Sequence, residues 1–175
     1  MDIALSSVFF IKNCNDNDKM NEFENQYNEN KYLCFLLNND QYAIPISEIC
    51  EVNRIANLFQ TQSFHQYVIG MINFHGKTTP VIHLKKVLKL DTVSNESLKM
   101  WFAYKSDDRI ACFAFDHLYS IFHAPVESID DVSEIMSMPD KRFIHAYVRI
   151  NHRLIPVLNL NQIINQINVN LPKNP

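Results

Sequence analysis

The pattern of apolar and polar positions changes character at about residue 31. Residues 12–30 are dense in Asn, Asp, Glu and Lys with few apolar residues, which predicts a disordered or loosely docked tail over 1–30. Beyond it, residues 32–37 are apolar on both faces, as in a strand covered on both sides. Asn38-Asn39-Asp40 reads as a turn, and Tyr42, Ile44 and Ile46 alternate as the returning strand. Ser47 to Val52 predicts one helical turn that continues as a strand and exposes Glu48 and Glu51. A loop is expected over 56–66, a hairpin over 68–83, and a short amphipathic helix from Leu84 to Leu90. After a polar connector at 91–97, strands are expected at about 99–105, 109–115 and 118–123. Ile129, Val132 and Ile135, spaced by three within Glu127 to Met138, predict a short helix ended near Pro139. A last hairpin over 145–158 and a helix from Leu160 to Ile167 complete the chain.

The chain has only two glycines, Gly70 and Gly76, six residues apart. So little glycine implies that each sits where the backbone needs it. His75-Gly76 lies between two strand patterns and reads as a hairpin turn, since His tolerates the left-handed region better than most residues. Gly70 falls inside a strand, where a missing side chain suggests a bulge or another backbone passing close by.

Sliding the sequence along itself exposes a repeat. At an offset of 76, Tyr67-Val68-Ile69-Gly70 falls on Phe143-Ile144-His145-Ala146, and Pro80-Val81-Ile82-His83-Leu84 falls on Pro156-Val157-Leu158-Asn159-Leu160. At an offset of 69, Tyr32-Leu33-Cys34-Phe35 falls on Trp101-Phe102-Ala103-Tyr104, and Tyr42-Ala43-Ile44 on Ala111-Cys112-Phe113. Few positions are identical, but apolar, turn and proline positions keep their order. Many short strands in two similar halves predict a mainly β protein of paired small barrels. The folded region is expected over 31–170, with halves of about 31–92 and 98–168.

Composition narrows the function. A chain of 175 residues can bury a core without a metal or disulfide staple. Its net charge of −3 argues against nucleic acid as the main partner. Lys77, Lys85, Lys86 and Lys89 read as a solvated basic face. Cys14, Cys34, Cys50 and Cys112 form no C-x-x-C pair, and three sit in strand patterns, which fits buried thiols in a reducing cytosol. The amino terminus has no basic start and only a short apolar stretch, so neither a signal peptide nor a membrane span is expected, and the protein reads as cytoplasmic.

No catalytic constellation is legible. There is no nucleophile elbow, P-loop or dinucleotide fingerprint, and none of the seven histidines forms a close ligand pair. His75 and His83 are expected to be exposed strand histidines near a turn. Glu127, Asp130, Asp131 and Glu134 lack the alternating ligands and loop glycine of a cation site and read as a solvated acidic face. The chain is expected to be no enzyme, with no cofactor and no metal.

The stretch Gly70-Met71-Ile72-Asn73-Phe74-His75-Gly76, running on to Pro80-Val81-Ile82-His83-Leu84, resembles the CheW family of chemotaxis coupling proteins, whose motif reads roughly G-φ-x-N-φ-R-G followed by P-φ-φ-D-L. The resemblance extends from Tyr32 to about Ile164. It implies a fold of two intertwined five-stranded barrels similar to SH3 domains, and a non-catalytic adaptor. The implied partners are the regulatory domain of a CheA-type histidine kinase and the cytoplasmic tip of a chemoreceptor. It implies partner-binding roles for Ile49, Glu51 and Val52 on one strand, and for Gly70, Asn73, His75 and Gly76 in the hairpin. Two departures stand out, because the motif arginine is His75 and the motif aspartate is His83. Arginine offers a fixed fork of donors, and neutral histidine one donor and one acceptor. Phe143-Ile144-His145 resembles the pilus-associated adaptors of the PilI kind, which serve twitching motility. The alternative is a small β-barrel module that binds an unrelated peptide or a nucleic acid.

Overall fold

The computed structural model describes residues 9–10, 30–59, 65–90, 98–106, 109–131 and 141–167. Its strands are β1 (Phe9–Phe10), β2 (Lys31–Leu37), β3 (Asp40–Pro45), β4 (Ile49–Arg54), β5 (Val68–Phe74), β6 (Lys77–His83), β7 (Met100–Ser106), β8 (Arg109–Phe115), β9 (His117–His123), β10 (Ile129–Asp131), β11 (Ile144–Ile150) and β12 (Arg153–Leu158). Two helices follow the last strand of each half, α1 (Leu84–Val87) and α2 (Leu160–Ile167).

The strands form two sheets, in the orders β1-β4-β7-β8-β6-β5 and β10-β11-β12-β3-β2-β9. Setting aside the short β1 and β10, each sheet has five strands, and the second is the first with the two halves exchanged. The pair β7-β8 sits among first-half strands, and β2-β3 among second-half strands. The parallel contacts that join the exchanged pairs are Val81↔Cys112 and Val157↔Ala43, which the offsets of 76 and 69 carry onto each other. Bulges obey the same rule. The register shift at Val68/Gly70 recurs at Ile144/Ala146, and that at Ile49/Glu51 recurs on β9 opposite Cys34/Phe35. The repeat read from the sequence is therefore a structural one.

Among the described residues, three two-residue hairpin turns place both central residues at positive φ: Asn38-Asn39, His75-Gly76 and Asn151-His152. This is the mirror-image turn whose twist matches a β-hairpin, and Asn and Gly favour it. Each sheet then closes on itself. After β4 the chain returns to β5, where Phe59 and Met71 exchange two backbone hydrogen bonds of 2.8 Å. In the second half β10 does the same after β9, with Asp130 opposite Tyr147.

Closure explains why the central strands are apolar on both faces. Leu33, Phe35 and Leu37 of β2, and Phe102 and Tyr104 of β7, point into a core shared by the two sheets. Phe35 there meets Phe102 and Phe115 at ring distances of 5.6 and 5.2 Å. The alternate residues point into the separate barrels, where small side chains of the central strands pack among larger ones such as Ile72, Phe74, Tyr32 and Ile155. One is filled by Cys50, Val81, Ala103, Cys112 and Ala114 with Trp101, the other by Cys34, Ala43, Ala146, Val148 and Val157. Burial pushes the Cys34 thiol up to about 11. Iodoacetamide at mildly alkaline pH is expected to leave Cys34 unmodified in the native protein and to label it after denaturation, as mass spectrometry of tryptic peptides would show. Native labelling would contradict the packing.

Several expectations are corrected. Cys34 and Cys112 are free and buried, whereas Cys50 is disulfide-bonded rather than the free thiol expected. The helix after β6 is a single turn, Leu84–Val87, ended by Lys89 in the left-handed region at φ 53°. Lys85 is no part of a solvated face: it is 1% exposed and pairs with Asp116 at 2.7 Å. His83 is fully buried at the start of α1. In place of a helix beginning at Glu127, a 3-10 turn over Val126–Ser128 leads into β10, because Ile129 pairs with Val148 of β11. Residues 132–138 lie outside the described residues, as does the tail apart from Phe9, Phe10 and Asn30. Phe9 and Phe10 pair with Val52 and Glu51 at the edge of the first sheet.

Candidate functional site

The resemblance points to β4 and the β5–β6 hairpin, which lie at opposite ends of one sheet and meet where that sheet closes. The bulge at Ile49/Glu51 makes Cys50 an extra residue on β4 and lets Ile49, Cys50, Glu51 and Val52 all be buried. Glu51 is 7% exposed rather than displayed to solvent, which corrects the expectation for it, and Glu48 is half-buried. Desolvation raises the pKa of Glu48 above the ordinary carboxylate value.

A carboxylate as buried as Glu51 needs donors. His75 supplies one from the turn, with Nε2 3.0 Å from Oε2 of Glu51. A carboxylate only accepts, so Nε2 carries the proton that is donated. Asn53 donates from Nδ2 to Oε1 at 3.3 Å. The His75 ring packs edge-on against Phe74 at 4.4 Å, and Phe74 in turn meets Trp101 edge-on at 6.0 Å. His75 is thus held from two sides while its side chain stays 53% exposed. Behind it, burial pushes the Cys112 thiol well above its ordinary value, and the Glu51 charge adds to that.

The seven residues marked by the resemblance divide by burial. Ile49 and Val52, at 0% and 2% exposed, belong to the shared core. Gly70 is buried, and a Cβ there would lie 2.5 Å from Cγ of Leu58 and 3.0 Å from the carbonyl oxygen of Phe59. The close passage expected from the glycine is therefore made by the segment after β4, at a bulge. Asn73, His75 and Gly76 are exposed at the hairpin tip, where Asn73 Oδ1 accepts the N–H of Gly76 at 2.8 Å. Asn73 closes the turn, and His75 is the residue the tip presents. Sequence reasoning missed Asn53, Phe74 and Trp101 as supports. Asn53, two residues beyond Glu51 on β4, was the signal available for the first. Among the described residues no three His, Cys, Asp or Glu side chains come together as a metal site. No helix among them is long and apolar enough to cross a membrane.

Two strand-exchanged barrels with a rigid polar tip at one seam define a double-barrel interaction module. A family profile described as the CheW-like domain matches residues 31–168. The chain belongs to this family, and so to the class of chemotaxis coupling adaptors. Chemotaxis protein CheW of Helicobacter pylori is 25% identical over 134 residues, covering 77% of this chain and 81% of the relative. Chemotaxis protein CheW of Bacillus subtilis is 22% identical over 138 residues, covering 78% and 87%. Among solved structures, the scaffolding protein TtCheW from Thermoanaerobacter tengcongensis matches with a TM-score of 0.68 at 19% identity, over 77% of this chain and 87% of that one. The expected fold of two intertwined SH3-like barrels is therefore the observed one. The alternative of an unrelated binding module is not favoured.

Proposed function

We propose that this protein is a non-catalytic cytoplasmic adaptor that holds the regulatory domain of a CheA-type histidine kinase and the cytoplasmic tip of a chemoreceptor in one assembly. The observation that supports this most directly is the Glu51–His75 contact, 3.0 Å long, at the position where the resemblance expects a partner-facing arginine. In this reading His75 meets the partner, Glu51 orients it from behind, and Ile49, Val52 and Gly70 keep the seam rigid. Asn73 and Gly76 set the turn.

The test is binding of the full chain to each purified fragment, measured by calorimetry beside a melting curve for every variant. His75→Ala and Glu51→Gln are expected to weaken one of the two complexes by roughly fivefold to tenfold, equivalent to about 1–1.4 kcal/mol. His75→Ala should also lower the melting temperature modestly, because it leaves the buried Glu51 carboxylate with one donor fewer, so the loss of binding is read at a temperature where each variant is folded. His75→Arg should retain or tighten that complex, because the guanidinium reaches the same carboxylate and keeps donors for a partner. Absence of binding to both fragments by the unaltered chain would remove the kinase and receptor from this reading.

A further inference from the structure

We propose that the cleft between the two halves, away from the Glu51–His75 seam, is a binding site for a compact oxyanion of the phosphate or carboxylate class. The cleft has a volume of about 190 Å³. His65, Gln66 and Tyr67, just before β5, form one wall, and Arg142 and Phe143, just before β11, form the opposite one. These walls are repeat mates: the offset of 76 carries Gln66-Tyr67 onto Arg142-Phe143. The cleft therefore sits where the two halves face each other. Lys89, at the end of α1, closes the rim.

Three features point to an anion. Two permanent cations and a histidine line the cleft, with Gln66 and Gln166 as further donors, and no Asp or Glu is among the described lining residues. This runs against a chain whose net charge is −3, so the cleft is a local positive field in an acidic protein. The basic groups are also braced. The Arg142 guanidinium lies over the Phe143 ring at 5.6 Å, and the His65 ring lies 5.3 Å from that of Tyr67. Aromatic contacts of this kind restrain the donors and lower the entropy lost when an anion arrives.

The backbone of Lys89 is the third feature. It occupies the left-handed region at φ 53°, the position after a helix where glycine or asparagine is ordinarily found. A lysine there is strained, and strain of this sort collects at functional positions. The side chain gains nothing from burial, because Lys89 is exposed, and it makes no ion pair among the described residues. A charge kept at the cost of backbone strain, beside an arginine held over an aromatic ring, is what an oxyanion site requires. Glu51 and His75 take no part in the cleft, so this site and the adaptor contact can fail separately.

The experiment titrates the full chain with inorganic phosphate and, in parallel, with citrate, followed by amide NMR at near-physiological ionic strength. One of the two is expected to bind saturably, with shifts concentrated at His65, Lys89 and Arg142, and to weaken as salt is raised. Which one binds decides between the phosphate and the carboxylate. Lys89→Gly is the diagnostic variant: it suits the left-handed backbone, so its melting temperature should hold or rise while binding weakens at least about fivefold. Arg142→Gln should weaken binding similarly. Saturation by neither anion below about 10 mM, or binding unchanged in both variants, overturns the proposal.

Discussion

Asp116→Asn is expected to lower the stability of this protein by about 3–5 kcal/mol, one of the largest effects available to a single polar substitution here. Lys85 is 1% exposed and Asp116 7%, and their charged atoms are 2.7 Å apart. The other carboxylate oxygen of Asp116 accepts the backbone N–H of Asn38 at 2.9 Å, and its own N–H donates to Leu36. One aspartate after β8 thus ties the helical turn of the first half to the β2–β3 hairpin, across the boundary where strands are exchanged. Replacing it by a neutral amide leaves the Lys85 ammonium buried without its counter-charge. At roughly 2–4 °C per kcal/mol for a chain of this size, the melting temperature should fall by about 6–20 °C. Lys85→Met combined with Asp116→Asn should recover much of the loss, because no uncompensated charge then remains. Urea denaturation of the two single variants and the double gives the coupling directly. A loss below about 1 kcal/mol for Asp116→Asn would mean that water reaches the pair and the packing described here is wrong.

Gly70→Ala is the second. Adding one methyl group places it 2.5 Å from Cγ of Leu58, which only a change of χ1 for the whole side chain would move, and 3.0 Å from a backbone oxygen of Phe59, which no rotamer change moves. The segment that returns to β5 has to move outward, which strains the paired hydrogen bonds of Phe59 and Met71 that complete the barrel. Overpacking of this kind costs about 1–3 kcal/mol. Leu58→Ala in the same chain should reduce the cost of the glycine substitution without abolishing it, since the Phe59 carbonyl stays in place, and the coupling between the two is the quantity to measure. Equal costs with and without Leu58 would show that the glycine is needed for its backbone alone. Gly76 makes a contrast, since no atom lies within 4 Å of a Cβ built there and its φ of 82° is the whole reason for the residue.

What the sequence disclosed, and what it hid, follows one physical division. Turn chemistry is local, so Asn38-Asn39 and His75-Gly76 were legible as they stand. The repeat was legible because both halves need the same alternation and the same bulges. Burial of polar groups is not local. Lys85 has the spacing of a solvated helical face, and only the exchanged strand that brings Asp116 beside it makes it a core residue. Glu51 reads as exposed on an alternating strand, and the bulge together with His75 from the far end of the sheet turns it inward. The stretch after Pro125 has helical spacing, but Ile129 is taken by β11, and a pairing partner outweighs a weak local preference. The Glu51–His75 contact was not legible in the sequence, because 24 residues and a barrel seam separate the two; the family resemblance marked each residue only separately.

The exchange of strand pairs also bears on how such a chain arose. A half-length precursor holding one copy of the repeat would have had three strands on one side and a pair with no sheet of its own to join. Two such molecules, each lending its first pair to the other, would have completed both barrels at once around a twofold axis, as an obligate swapped dimer. Joining the two copies end to end would have turned that dimer into a single chain and released the halves from identity. One side was then free to acquire a histidine and a buried glutamate at its seam, while the other has Asn151 and Ser120 at the related positions. Symmetric in its frame and asymmetric at its surface, the molecule can present a different face to each neighbour.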